Sequence, residues 1–121
     1  MSGMSYDRLV MSQLVLREPD LTALRFLFQA VSNEYRLRIL NPLRKGSRNV
    51  SGISEALELE QTVVSHNLKC LTFCGLVSVQ QLGKERLYSL NKETVEPLLV
   101  ASDRHIARFA SNLRTCECLE R

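Results

Sequence analysis

The chain's four cysteines fall in two pairs: Cys70 with Cys74, four positions apart, and Cys116 with Cys118, two apart. A spacing of four on a helix turns both side chains to one face, so the sulfurs of Cys70 and Cys74 can grip one ion together. One pair is an incomplete site. Soft thiolates suit Zn(II), Cd(II), Pb(II) or As(III), and the third or fourth donor must come from elsewhere, with Cys116 and Cys118 the obvious source. Neither pair is CxxC, and in a reducing compartment such a set reads as thiols for metal or redox chemistry rather than as a disulfide framework. The plainer uses are also open: Cys70 and Cys74 as small apolar packing residues, Cys116 and Cys118 as members of a frayed tail.

A second chemistry is concentrated just before the first pair. Gln61, Thr62, Ser65, His66, Asn67 and Lys69 crowd one short stretch. Gln and Asn side chains can read adenine edges, the hydroxyls and His66 reach bases or phosphates, and a lysine suits phosphate. Further on, Lys84 and Arg86 flank the single acidic Glu85. Any solvated helix shows polar residues and any hairpin tip shows charges, so composition leaves the two readings level. Nothing resembles a catalytic constellation: two histidines and scattered acids give no nucleophile–base pair and no phosphate-cradling glycine loop. The chain reads as a non-enzyme.

The elements that would carry these residues can be read from periodicity. A short helix is expected over residues 6–16, broken at Glu18-Pro19-Asp20, with Asp20 capping the next, in which Leu21, Leu24, Phe28 and Val31 recur at helical spacing. Ser32 is placed to cap a helix from Asn33 with Leu37, Leu40 and Leu43 on one face; Pro42 should bend or shorten its end, and Gly46 stops it. Asn49 or Ser51 begins a short helix through Ile53, Ala56 and Leu57. After a tight turn at residues 58–60, a helix over about 61–74 points Val64, Leu68 and Leu71 inward and ends at Gly75. Two short helices around a tight turn make a helix-turn-helix. Residues 76–81 and 86–90 form a β-hairpin, or wing, around Leu82-Gly83-Lys84. Asn91 can cap the last helix, whose stripe of Val95, Leu98, Leu99, Ile106, Phe109 and Leu113 needs a partner; Pro97 fits only near its first turn. The order helix, helix, basic hairpin decides for DNA, because that is what a winged reader requires.

Bulk properties agree. With 121 residues, 45% hydrophobic and 24% charged, the chain suits one folded domain, residues 1–121, with an N-terminal helical segment over 1–19 and a C-terminal dimerisation helix and tail over 92–121. A net charge of +3 permits nucleic-acid binding. No apolar run approaches the length of a membrane span, and residues 1–10 lack the apolar core of a secretory signal, so a cytoplasmic location is expected.

Four stretches then become recognisable together: Tyr35-Arg36-Leu37-Arg38-Ile39-Leu40, Ile53-Ser54-Glu55-Ala56-Leu57, Thr62-Val63-Val64-Ser65-His66-Asn67-Leu68-Lys69 and Cys74-Gly75-Leu76-Val77. With a hairpin ending Lys84-Glu85-Arg86-Leu87-Tyr88-Ser89-Leu90, the chain resembles the ArsR/SmtB family of metal-responsive repressors over roughly residues 21–113. The resemblance implies a mainly α winged helix-turn-helix with a β-hairpin. It further implies a homodimer built from the first and last helices, which sits on operator double-stranded DNA and leaves it when an inducer binds. The Cys70–Cys74 spacing is similar to the cadmium- and lead-sensing branch, where two cysteines in the recognition helix are joined by one from the C-terminal region. Cadmium and lead are thus the first inducers to expect, arsenic(III) and zinc the next. The start of the preceding helix, which carries cysteine in the arsenic and cadmium branches, reads Asn49-Val50-Ser51-Gly52-Ile53 here. Asp103 and His105 match the first ligand pair of the zinc-sensing branch, but Cys116 stands in place of the second histidine and Leu119 at the next ligand, which ranks that site below the thiolates. Two alternatives stay open: a redox-sensing repressor of the same fold working through a Cys70 or Cys74 disulfide, and a protein-interaction module using the long last helix.

Overall fold

The computed structural model describes residues 18–120. The helix expected over residues 6–16 lies outside them. The chain divides into two units, residues Met1–Asn33 and Glu34–Arg121.

In the first unit, α1 spans Glu18–Val31. Asp20 therefore lies inside the helix and does not cap it. The Ser32 hydroxyl donates to the Gln29 carbonyl at 3.3 Å, closing the end of α1 where a cap for the next helix was expected.

The second unit begins with α2, Glu34–Leu43, followed by α3, Val50–Leu57, and α4, Gln61–Phe73. A two-stranded hairpin, β1 Val77–Leu82 and β2 Glu85–Leu90, leads to α5, Val95–Thr115. The strands pair antiparallel from Val77 with Leu90 to Leu82 with Glu85, leaving a two-residue turn in which Gly83 takes φ 64°. That sign of φ suits glycine, which has no Cβ to clash. This is the winged helix-turn-helix architecture expected from the sequence.

The core of this unit is made where the helices and the base of the hairpin meet. Ile39, Leu40 and Leu43 of α2, Ile53 of α3, and Val64, Leu68 and Leu71 of α4 are all at most 1% exposed. Leu76, Val77, Leu90 and Val95 extend it. The buried series of α2 runs through Ile39, whereas Leu37, expected inside, is 46% exposed. Pro42 sits in the last turn of α2, after which Arg44 and Lys45 close turns onto Leu40, Asn41 and Pro42, so the helix winds down as expected of a residue without an N–H.

Capping fixes the short helices. The Asn49 side-chain oxygen accepts from the Gly52 N–H at 2.7 Å, the N-cap arrangement that satisfies an orphan donor of α3. At its other end Glu58 takes a left-handed conformation, and Arg38 donates to the Leu57 carbonyl at 3.0 Å, tying α2 to the helix-turn-helix turn. Gly75, at φ 80°, ends α4, and the Leu76 N–H returns to the Leu71 carbonyl at 2.9 Å. The Asn91 side chain accepts from Glu93 and Thr94 and donates to the Gly75 carbonyl at 2.9 Å, fastening the end of α4 to the start of α5. Inside α5 the backbone departs from helical geometry at Phe109 (φ −121°, ψ 18°), a kink with no counterpart in the expected continuous helix. No helix among the described residues is long and apolar enough to cross a membrane.

Candidate DNA interface and thiol pair

α4 follows the tight turn of residues 58–60 and divides into three stripes at 3.6 residues per turn. Val64, Asn67, Leu68 and Leu71 are buried against the core. Gln61, Thr62, Ser65, His66 and Lys69 are exposed on the outside, the face that would meet a groove edge. Cys70, half-buried, and Cys74, exposed, lie on the flank between those two.

Five of the six polar residues singled out in the sequence are therefore exposed on that side. Asn67 is the exception and a correction: it is 7% exposed, and its amide donates to the Val63 carbonyl at 2.9 Å. Its position, three after Val64 and four before Leu71, belongs to the core series. At the head of the helix the Gln61 amide donates to the Ser51 hydroxyl at 3.3 Å, which steadies this side chain against α3.

The hairpin supplies the second cationic element. Lys84 and Arg86 are exposed, while Glu85, the acid between them, accepts a hydrogen bond from the Asn49 side chain. One residue thus caps α3 and holds the wing's carboxylate, a role the spacing of Asn49 and Glu85 in sequence does not announce. Arg48 and Tyr88 exchange backbone hydrogen bonds at 3.0 and 2.8 Å, and the Ser47 and Ser89 hydroxyls lie 2.6 Å apart, so the wing is stitched along its length to the segment entering α3. Between α4 and the wing is a cleft of about 680 Å³, with Ser65, Lys69 and Phe73 on one wall and Val79, Arg86 and Tyr88 on the other.

Cys70 and Cys74 stand one turn apart on that flank, near enough for each thiol to act on the other's ionisation. Although Cys74 is exposed, partial desolvation of its thiol pushes the pKa up, the neighbouring Cys70 adds to the rise, and the Arg36 guanidinium opposes it. Two soft donors on one helical face fit half of a thiolate metal site. Among the described residues no three His, Cys, Asp or Glu side chains converge, so Cys116, half-buried just past α5, and Cys118, exposed, do not join Cys70 and Cys74 within one chain. Asp103 and His105, the second-ranked donors, are occupied otherwise. Asp103 forms a two-point ion pair with Arg44, one arm at 3.2 Å, which holds its carboxyl below the usual range, and the His105 ring packs against Phe109 with centroids 4.8 Å apart. Arg44, at the end of α2, was not singled out in the sequence; its partner lies 59 positions away, beyond any local signal.

Comparison with known proteins agrees with this geometry. The model of a family described as bacterial regulatory protein, arsR family, matches residues 33–79. The HTH-type transcriptional regulator NmtR of Mycobacterium tuberculosis is 41% identical over 71 residues, which span 59% of this chain and 59% of that protein. The "probable mercury resistance operon repressor" of Streptomyces lividans is 33% identical over 108 residues, 89% of this chain and 85% of that one. Among solved structures, the homodimeric winged helix-turn-helix DNA-binding domain Mb0332 of Mycobacterium bovis superposes with a TM-score of 0.61 at 28% identity, covering 76% of this chain and 92% of that domain.

Proposed function

The chain belongs to the arsR family of bacterial regulatory proteins, and from that premise we propose that it is a transcriptional repressor that binds operator DNA as a homodimer and lets go when a thiophilic ion is held by Cys70 and Cys74. The relatives and the fold are those of DNA-binding transcription regulators and not of enzymes. The observation that carries the inducer reading is the placement of two free thiols one turn apart on the flank of the helix whose outer face would read the operator.

Gln61, Thr62, Ser65 and His66 would meet base edges or phosphates, and Lys69, Lys84 and Arg86 would neutralise phosphates. Cys70 and Cys74 would supply two thiolates, and Cys116 or Cys118 of the second subunit the rest, a soft donor set suited first to cadmium and lead, then to arsenic(III) or zinc. The name of the Streptomyces relative adds mercury to the ions worth testing. Ligation across the dimer would tie α4 to the other chain's tail and so favour one spacing of the two reading helices. An ion shifts DNA affinity only by its differential affinity for the two spacings, and couplings of about 1 to 3 kcal/mol are typical.

The same pair of thiols supports a second reading, in which peroxide is reduced to water while Cys70 and Cys74 lose two electrons and two protons to form a disulfide. Both are tested by fluorescence anisotropy of the reduced protein on the DNA upstream of its own gene, titrated with Cd(II), Pb(II), As(III), Zn(II) and Hg(II), and separately with peroxide. A soft ion should release the wild type and leave a Cys70→Ser, Cys74→Ser double variant bound. Release of both proteins by an ion, or of neither by any ion or by peroxide, removes the thiolates from the mechanism. Release by peroxide alone, reversed by reductant, selects the disulfide.

A further inference from the structure

Within its own unit α5 packs extensively on no other element, although Val95 in its first turn reaches the core. Side-chain bonds join it to the head in its middle, where Asp103 pairs with Arg44, and just before its start, at Asn91. Three segments meet at Asn91. Its N–H donates to the Leu76 carbonyl at 3.1 Å, and its own carbonyl accepts from the Val95 and Glu96 N–H groups at 3.0 and 3.1 Å. Its side-chain oxygen accepts from the Glu93 and Thr94 N–H groups at 3.0 and 3.2 Å. These bonds shape the exit of the hairpin and the entry to α5. The remaining one does neither: the side-chain amide reaches back to the Gly75 carbonyl at 2.9 Å, at the end of α4.

Gly75 is the residue after Cys74, and the Cys74 N–H closes the last turn of α4 on the Cys70 carbonyl at 3.0 Å. An ion that draws the two sulfurs onto itself must adjust that turn, and the Gly75 carbonyl moves with it. This carbonyl is held by an amide whose other end fixes the backbone entering α5, so the adjustment is felt there. Hydrogen bonds between packed elements are one physical route by which two sites are coupled. We propose that Asn91 is a positioning residue for induction: its amide, through the Gly75 carbonyl, carries the capture of an ion by Cys70 and Cys74 from the end of α4 to the start of α5. The proposal rests on the thiolate reading above. Asn91 is neither an ion ligand nor a DNA contact in it; it sets how strongly one event acts on the other.

The test is anisotropy of the full-length protein on its upstream DNA, with and without Cd(II), or whichever of Pb(II), As(III), Zn(II) and Hg(II) releases the wild type, for Asn91→Asp and Asn91→Ser. Asp keeps the acceptor for Glu93 and Thr94 and loses the donor to Gly75; Ser keeps a turn-forming acceptor, lacks the amide and adds no charge. Thermal melting checks folding, and thiolate-to-metal absorption gives the ion affinity of the free protein, which should not change. The ion should lower the wild type's DNA affinity by a factor in the usual span of about 5 to 150, and that of both variants by a much smaller one. A merely structural loss would weaken DNA binding equally with and without the ion and leave the factor as it was. An unchanged factor in either variant, or a loss of ion affinity in the free variants, overturns the proposal and leaves the thiolate reading intact. If neither variant folds, Asn91 serves the fold, and the proposal is overturned as well. If no ion changes the wild type's DNA affinity, the thiolate reading falls, and this inference with it.

Discussion

At Cys74, on the reading proposed above, a proton would compete with a soft ion for one sulfur. Burial, then the adjacent Cys70, raises this thiol's pKa in the folded chain. A raised folded pKa means that the stability it contributes is complete below the unfolded thiol's pKa and is lost as pH rises through the folded one. The consequence for the proposed sensing has the same origin: an ion would have to displace a proton from a thiol whose pKa is raised. Below that pKa, ion affinity should climb about tenfold per pH unit for each thiol proton displaced, and the climb should continue beyond the ordinary thiol range. A pH series of Cd(II) titrations, followed by thiolate-to-metal charge-transfer absorption, checks this; a flat profile would place the ion on other donors. Cysteine identity and spacing made the pair legible in the sequence. The fate of Asp103 was not, because its ion pair with Arg44 depends on the end of α2 and the middle of α5 being neighbours.

Among the elements, α4 was the most legible, since the series Val64, Leu68, Leu71 at intervals of four and three has one interpretation as a buried stripe. Asn67 was misread because a polar side chain was assigned by type; its bond to the Val63 carbonyl lets an amide occupy a core position at little cost. In α2 two overlapping apolar series, one through Leu37 and one through Ile39, differ by a small rotation of the helix, and only packing chooses between them. The kink at Phe109 has neither proline nor glycine to announce it. The joint between α3 and the wing makes a sharper prediction. Asn49→Ala removes the α3 cap, which should cost about 1 kcal/mol in urea unfolding. It also frees the Glu85 carboxylate beside Lys84 and Arg86, so DNA affinity should fall by more than the loss of stability explains. Adding Glu85→Gln should restore most of that affinity but none of the stability. An Asn49→Ala protein of unchanged affinity would detach the wing's charge balance from this residue.

Taken whole, the molecule shows more apolar surface than a lone chain needs. Val100, Ile106, Phe109 and Leu113 of α5 are 38 to 46% exposed, and Leu21, Phe26 and Phe28 of α1 about half. Ile106, Phe109 and Leu113, at intervals of three and four, fall on one side of α5, an apolar face of the kind that marks an association surface, and the Mycobacterium bovis neighbour is a homodimer. Ile106→Glu should therefore halve the mass seen by sedimentation equilibrium and lower operator affinity steeply, since a monomer engages one half-site, while Leu68 and its buried neighbours keep the head folded. An unchanged mass would move the interface away from α5. One consequence concerns descent. Because α4 keeps its cysteines, its exposed polar side chains and its packing residues on separate stripes, a lineage can rewrite any one of them while the other two are inherited intact, so on the proposed reading the signal answered and the genes governed would be free to drift apart.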